Sequence, residues 1–368
     1  MKRNISSKRF VFGILCFFAC ILLFSVSFAL EDGGEYLGVE WSFKDGVLSL
    51  KGDGMLTATN QPWEKYKKKT KEIIIGSSFP ERDDWAVLDK YPVLNKVVIC
   101  VDFFDGLFTA TEKIKEVRYT SDNPVFVGHL FSNNRLEKIV FDNPDVDYVI
   151  DGNLLLNKNK TELYYYLGSK SENVVIPEGV EIIHSGAFSK SRIKSVQLPS
   201  TLKEIRYSAF SGCKFTKITI PESCERIGDN AFGGNTSLRE VVFLGDSIDF
   251  YCDIKFYDGV IHRGGSTFSC CTALQEISLP SCDKVPDSFF SFCKKLKKVS
   301  FGENTKELGF RLFTDCVKLE SVYIPDGTKI PYDFLSDGCS KKATILCHAG
   351  SKAETLAKRY KIQYKLID

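Results

Sequence analysis

Two adjacent stretches decide the fold: VQLPSTLKEIRYSAFSGCKFTK (Val196–Lys217) and ITIPESCERIGDNAFGGNTSLRE (Ile218–Glu240). Laid over each other, they match Val196 with Ile218, Leu198 with Ile220, Pro199 with Pro221, Ile205 with Ile227, and Ala209-Phe210 with Ala231-Phe232. Cys213 falls where the next unit has Asn235. One apolar template repeated at a period of 22–23 residues marks a solenoid. The apolar-x-apolar pair before each proline alternates as a short strand does, and the proline stops its ladder. Leu202, Ile205, Ala209 and Phe210 follow at spacings of three and four, which predicts a helical or 3₁₀ turn on the opposite wall. One such unit cannot bury its own apolar side, whereas stacked units can.

Working outward, the template recurs on both sides. Strand cores are expected near Ile73–Ile75, Val97–Ile99, Val117–Tyr119 and Ile139–Phe141, then at Val174–Ile176, Val196–Leu198, Ile218–Ile220 and Val241–Phe243. Ile277–Leu279, Val299–Phe301, Val322–Ile324 and Thr344–Leu346 continue the series. Leu107-Phe108, Leu130-Phe131, Ala187-Phe188, Phe289-Phe290 and Leu312-Phe313 fill the Ala-Phe slot. Residues 71–346 therefore read as the solenoid. Residues 30–70 read as an N-terminal β cap with a hairpin at Asp45-Gly46, and residues 347–368 as a C-terminal cap. Within that last segment Ser351 and Glu354 form a capping-box pair at the start of a helix.

Two excursions break the period. Residues 148–167 read as a meander. Residues 246–266 carry a hairpin signal at Asp258-Gly259 and gather Phe250, Tyr251, Phe256 and Tyr257. Insertions in solenoids map to loops on one face and often bind partners. The alternative is that these aromatics pack back onto the stack.

The recurring I-P-x-x-V/L-x-x-I-x-x-x-A-F-x-x-C, as in LPSTLKEIRYSAFSGC and IPESCERIGDNAFGGN, resembles the BspA-type leucine-rich-repeat proteins. DGNLLLNKNKTELYYY resembles that family's interspersed hairpin, and WSFKDGVLSLKGDGML with PWEKY resembles a module placed before such repeats. The resemblance covers most of residues 36–366. It implies a right-handed, mostly β solenoid with a parallel concave sheet and short convex turns, exported to the cell surface or beyond. Some members are associated with adhesion. Phe243-Leu244 and Phe301-Gly302 depart from the pattern by lacking its proline.

Residues 1–29 place Lys2, Arg3, Lys8 and Arg9 before a long apolar run that ends in Ser27-Phe28-Ala29, the pattern of a secretory signal. The run is also long enough for an uncleaved anchor, which would be the chain's contact with a membrane. Without that segment 45 basic residues face 47 acidic ones, so the charge balance gives no case for nucleic acid. The four histidines, His129, His184, His262 and His348, belong to no zinc helix, and no nucleophile elbow or phosphate loop is present. Cys252, His262 and Cys270-Cys271 have poor spacing for zinc. The sequence thus nominates no catalytic residue, metal or cofactor.

Two sets of residues remain. Cys213, Asn235, Cys271, Cys293, Cys316 and Cys339 share one repeat position and are expected to stack as a structural ladder. Gln197, Thr219 and Tyr323 fall on the outward column of the strands. With Phe250, Tyr251, Phe256 and Tyr257 they make the candidate protein-binding surface, its partner an extracellular or cell-surface protein. A structural envelope protein without a specific ligand is the alternative, and a solenoid-borne enzyme a more distant one.

Overall fold

A computed structural model describes residues 32–54, 61–76, 91–102, 113–125, 136–168, 173–251, 256–257, 260–261, 265–335 and 338–368. The signal-like segment 1–29, the Leu107-Phe108 and Leu130-Phe131 slots and the Asp258-Gly259 turn lie outside the described residues. The chain is a mostly-β solenoid and divides into two units, residues 1–148 and 149–368.

In the first unit a hairpin of Val39–Lys44 and Val47–Gly52 turns at Asp45-Gly46, both in the left-handed region. Its second strand pairs parallel with Glu72–Ile75, and Lys96–Ile99, Glu116–Tyr119 and Lys138–Phe141 follow in parallel register. Trp63, in the 3₁₀ turn Pro62–Tyr66, is fully buried against Trp41 and Tyr36. The register sets Glu72, Lys96, Glu116 and Lys138 side by side, and Lys96–Glu72 and Lys138–Glu116 close as ion pairs at 3.2 Å.

In the second unit each coil has three walls. Strands such as Ser195–Gln197, Lys217–Ile220, Glu240–Phe243 and Lys298–Ser300 form the first wall, with Lys217–Ile220 parallel to Glu240–Phe243. Beyond the proline corner the chain makes a second parallel ladder, running from Glu162–Tyr166 through Ile182–Ile183, Glu204–Ile205 and Arg226–Gly228 to Asp249–Tyr251. The expected turn is therefore shorter than the apolar spacing implied. Ile205 sits in a strand, and the turn is confined to Tyr207–Gly212. A spacing of three between Leu202 and Ile205 arises where the chain rounds a corner and mimics a helical stripe.

The turns form the third wall. Within a turn Ala209 N–H donates to Arg206 O and Ser211 N–H to Ser208 O. Between turns Phe210 N–H donates to Ala231 O and Gly212 N–H to Gly233 O. Two successive turns each pass twice through the left-handed region, at Ser208 and Gly212 and again at Asn230 and Gly234. Inside the turns a column of rings runs through the core. Phe188, Phe210, Phe232 and Phe268 stack with centroids 4.9, 5.7 and 5.3 Å apart. The N-cap Ser351 Oγ accepts from Glu354 N–H, which starts the one α-helix among the described residues, Lys352–Tyr360. The Glu354 carboxylate reaches back to Gly350 N–H at 2.6 Å.

Candidate functional site

The second excursion is smaller than the sequence indicated. Asp249–Tyr251 pairs in register with Arg226–Gly228, so this stretch continues the stack. Phe250 lies opposite Ile227, 4 % exposed, with its ring edge-on to Phe289 at 4.8 Å. It is a core residue and offers no surface to a partner, which corrects its assignment as a contact aromatic. The inserted segment is 252–264. Of it, Phe256–Tyr257 and Val260–Ile261 are strands paired antiparallel, as the Asp258-Gly259 signal predicts. Phe268 stands 36 positions after Phe232, yet their rings stack as those of consecutive coils do, so the core column continues across the insertion.

Both ends of the insertion are fastened to the two preceding coils. At its start the Tyr251 hydroxyl donates to Glu204 Oε1 at 2.8 Å, and the Arg226 guanidinium lies 4.1 Å from the ring centre. At its end Gly265 N–H and Ser266 N–H both donate to Asp229 Oδ1 at 2.8 Å. Gly228 makes the first anchor possible: a Cβ there would stand 2.8 Å from Tyr207 N and 3.2 Å from the Tyr251 hydroxyl.

The anchor belongs to a chain of polar groups on the outer side of the second ladder. Glu204 accepts from Arg206 Nε at 3.3 Å and from Arg226 Nη1 at 3.2 Å, and Arg226 Nε reaches Asp249 at 3.4 Å. Arg206 Nη1 lies 3.1 Å from His184 Nδ1, and His184 Nε2 lies 2.7 Å from Glu162 Oε2. The Tyr164 ring stacks on the imidazole at 4.0 Å. An arginine facing Nδ1 leaves that nitrogen to accept, so the proton sits on Nε2 and points at Glu162. Burial lowers the pKa of His184 and Arg206 adds to that, while Glu162 opposes both. Every acid in this chain of groups has a cationic or hydrogen-bonding partner, and most of these contacts join neighbouring coils.

The ladder position is occupied as a ladder. Cys213 Sγ donates to Phe188 O at 3.2 Å, Cys271 to Phe232 O at 3.2 Å, Cys293 to Phe268 O at 3.1 Å and Cys316 to Phe290 O at 3.2 Å. Asn235 Nδ2 donates to Phe210 O and Phe232 O from the same place. Cys339 is half-buried. Burial pushes the Cys213, Cys271 and Cys316 thiols up to about 12 and that of Cys339 to about 11. Cys252 and His262 lie outside the described residues.

The outward strand residues are on a different wall from the insertion. Gln197 and Thr219 are exposed on the first wall. Tyr323 is half-buried there, its hydroxyl donating to Glu303 at 2.8 and 2.9 Å, and burial with that carboxylate pushes its pKa up to about 12. The structure thus places Tyr251 at the root of the Phe256–Ile261 hairpin but does not bring Gln197, Thr219 or Tyr323 beside it. Sequence reasoning missed Glu204, Arg226, Gly228 and Asp229, which mount the insertion. Their signal was opposite charge at the repeat spacing, Glu204 with Arg226 and Arg226 with Asp249.

Residues 159–252 and 250–341 match the family described as BspA type leucine rich repeat region, in six copies. The chain belongs to this leucine-rich-repeat family. Among solved structures, a leucine-rich repeat protein from Eubacterium ventriosum is 22% identical, with a TM-score of 0.58, over 83% of this chain and 94% of that one. A leucine rich cell surface protein from Faecalibacterium prausnitzii is 17% identical over 91% of this chain and 98% of that one, with a TM-score of 0.33. The pneumococcal vaccine antigen PcpA is 13% identical over 93% of this chain and 100% of that one, with a TM-score of 0.42. No curated protein matches the chain.

Proposed function

We propose that this protein is an exported, surface-displayed and non-catalytic binding module that engages a protein ligand through the hairpin of segment 252–264. The observation that carries the reading is the mounting. A stack that needs no insertion to continue has one, and both of its ends are tied to the coil Arg226–Asp229, through Tyr251 over Gly228 and through Asp229 at Gly265 and Ser266. A rigid scaffold presenting a loop is how repeat proteins bind. The segment also supplies Tyr257, a residue type that anchors interfaces, next to Phe256. Export is supported by the signal-like residues 1–29 and by family membership.

The test replaces residues 252–264 with a short Gly/Ser link, leaving Tyr251 and Gly265 in place. Parent and variant are compared in pull-downs from extracellular and cell-surface proteins, with thermal melting run in parallel. The reading expects an unchanged melting temperature and loss of the species that the parent captures. Equal capture by both proteins, or no specific capture by the parent, would overturn it.

A further inference from the structure

Charge in the second unit is sorted by edge. Most ion pairs join neighbouring coils at the repeat spacing, as in Lys217–Glu240, Lys298–Glu276 and Lys284–Glu307, so most of the surface is neutralised locally. The segments that lead from the ladder position into the first-wall strands do not follow this rule. They are 191–194, 213–216, 235–239, 271–275, 293–297, 316–320 and 339–343, and together they hold ten basic residues and one acidic residue. The acid, Glu320, is taken up by Lys297 at 3.0 Å. Arg192, Lys214, Arg239, Lys294, Lys295 and Lys318 are exposed, and among the described residues none of them has an acidic partner. Lys341 and Lys342 extend the row.

Because the strands are parallel and in register, all of these segments lie at the same end of the first wall. The segments leaving its other end, 177–181, 199–203, 221–225, 244–248, 280–283, 302–306 and 325–329, hold eight acidic and three basic residues. A chain of net charge +2 has thus been given one basic edge and one acidic edge.

We infer that the basic edge binds an extended anionic polysaccharide. Apart from the uncharged segment 271–275, each coil adds one to three cations to a narrow row that advances about 4.8 Å per coil, which suits a linear polymer better than a flat bilayer. Single-stranded nucleic acid is held by aromatic stacking as well as charge. The one aromatic in these segments, Phe215, is buried. The inference is independent of the hairpin and rests on the proposed function only for its export to the cell surface, where a polysaccharide is the polyanion at hand.

The experiment titrates the purified protein with dextran sulfate, using neutral dextran, single-stranded DNA and anionic phospholipid vesicles as comparators, across a salt series. Saturable binding to dextran sulfate that weakens steeply with salt is expected, as counterion release requires. The triple variant Lys294→Glu, Lys295→Glu, Lys318→Glu should lose about tenfold or more in affinity and flatten the salt slope. A control with the same charge change on the acidic edge, Lys203→Glu, Lys306→Glu, Lys329→Glu, should bind as the parent does. Arg192→Gln with Lys214→Gln, on other coils, gives a second variant should the triple fail to fold. Deletion of residues 252–264 should leave dextran sulfate binding intact, which separates this site from the hairpin. Absence of dextran sulfate binding, equal losses in the two triple variants, or tighter binding to DNA or vesicles would overturn the inference.

Discussion

The Tyr251 hydroxyl reaches across Gly228 to donate to Glu204 Oε1, 47 positions earlier in the chain, at 2.8 Å. A tyrosine on one coil, a glycine on the next and a carboxylate on the one beyond make a single contact, so the site depends on register as well as on residue type. Tyr251→Phe is expected to cost about 1.5–3 kcal/mol, the range for a hydrogen bond to a charged group. Gly228→Ala should cost about 1–3 kcal/mol, because its Cβ meets the Tyr207 backbone nitrogen at 2.8 Å. Denaturant unfolding measures both. A Tyr251→Phe protein as stable as the parent would show that the contact does not hold the insertion.

The cysteine ladder is expected to remain reduced and unreactive. Each thiol donates to a phenylalanine carbonyl in an earlier coil, and burial holds Cys213, Cys271 and Cys316 near 12, so almost no thiolate exists at neutral pH. Intact mass after alkylation should show these thiols unmodified in the native protein and modified after unfolding, with no mass lost to disulfides. Their folded pKa values are raised above the unfolded value of 9.0. The contribution is therefore full below pH 9 and is lost as pH rises toward 12, through unfolding that releases protons.

Phe210→Ala should cost about 3–5 kcal/mol, since the ring is fully buried between Phe188 and Phe232. Thr219→Ala, exposed on the first wall, should change stability by less than about 0.5 kcal/mol. Comparable costs at the two positions would mean that the Ala-Phe column is not the core.

That column was legible because every coil pays the same entropy to turn and recovers it by burying the same ring, so Ala209-Phe210 and Ala231-Phe232 had to recur. Phe250 was misread although its signal was present: it stands 23 residues after Ile227, as Ile227 stands 22 after Ile205. Four aromatics within eight residues drew attention to composition where spacing was the better guide. The Tyr251–Glu204 contact could not be read at all, because it needs the strand register that puts Gly228 beside Tyr251. The basic edge was in the sequence, but it emerges only once the ladder and strand positions of every coil have been aligned.

Phe292 has a φ of 64°, at the turn position where two earlier coils have Gly212 and Gly234. A bulky side chain in the left-handed region is strained, and this one is 42 % exposed, so burial offsets little of the strain. Phe292→Gly is expected to leave stability unchanged or raise it by about 1 kcal/mol, while Phe290→Ala two residues away should cost about 3–5 kcal/mol. A large loss on Phe292→Gly, measured by thermal melting, would assign the ring a packing role.

His184 should make the second unit acid-sensitive. Burial, with Arg206 at Nδ1, holds its folded pKa below the ordinary 6.5, so the unfolded chain binds the proton more readily. Stability from this residue is full above pH 6.5 and falls as pH drops through the lowered folded value. Protonating Nδ1 sets N–H against the Arg206 guanidinium and loosens the link between the coils of His184 and Glu204. Glu162 acts in the same direction at lower pH. Burial raises its pKa, but hydrogen bonds from His184 and Tyr164 outweigh that and leave it below 4.5, so its contribution also fades on acidification. The groups facing the imidazole are Glu162, Tyr164 and Arg206, with Glu204 beyond. His184→Asn removes the titrating ring, so the variant's unfolding free energy, lower at pH 7, should approach that of the parent between pH 6.5 and pH 5. Parallel pH profiles for the two proteins over that interval would show that the imidazole titrates alike in the folded and unfolded chains.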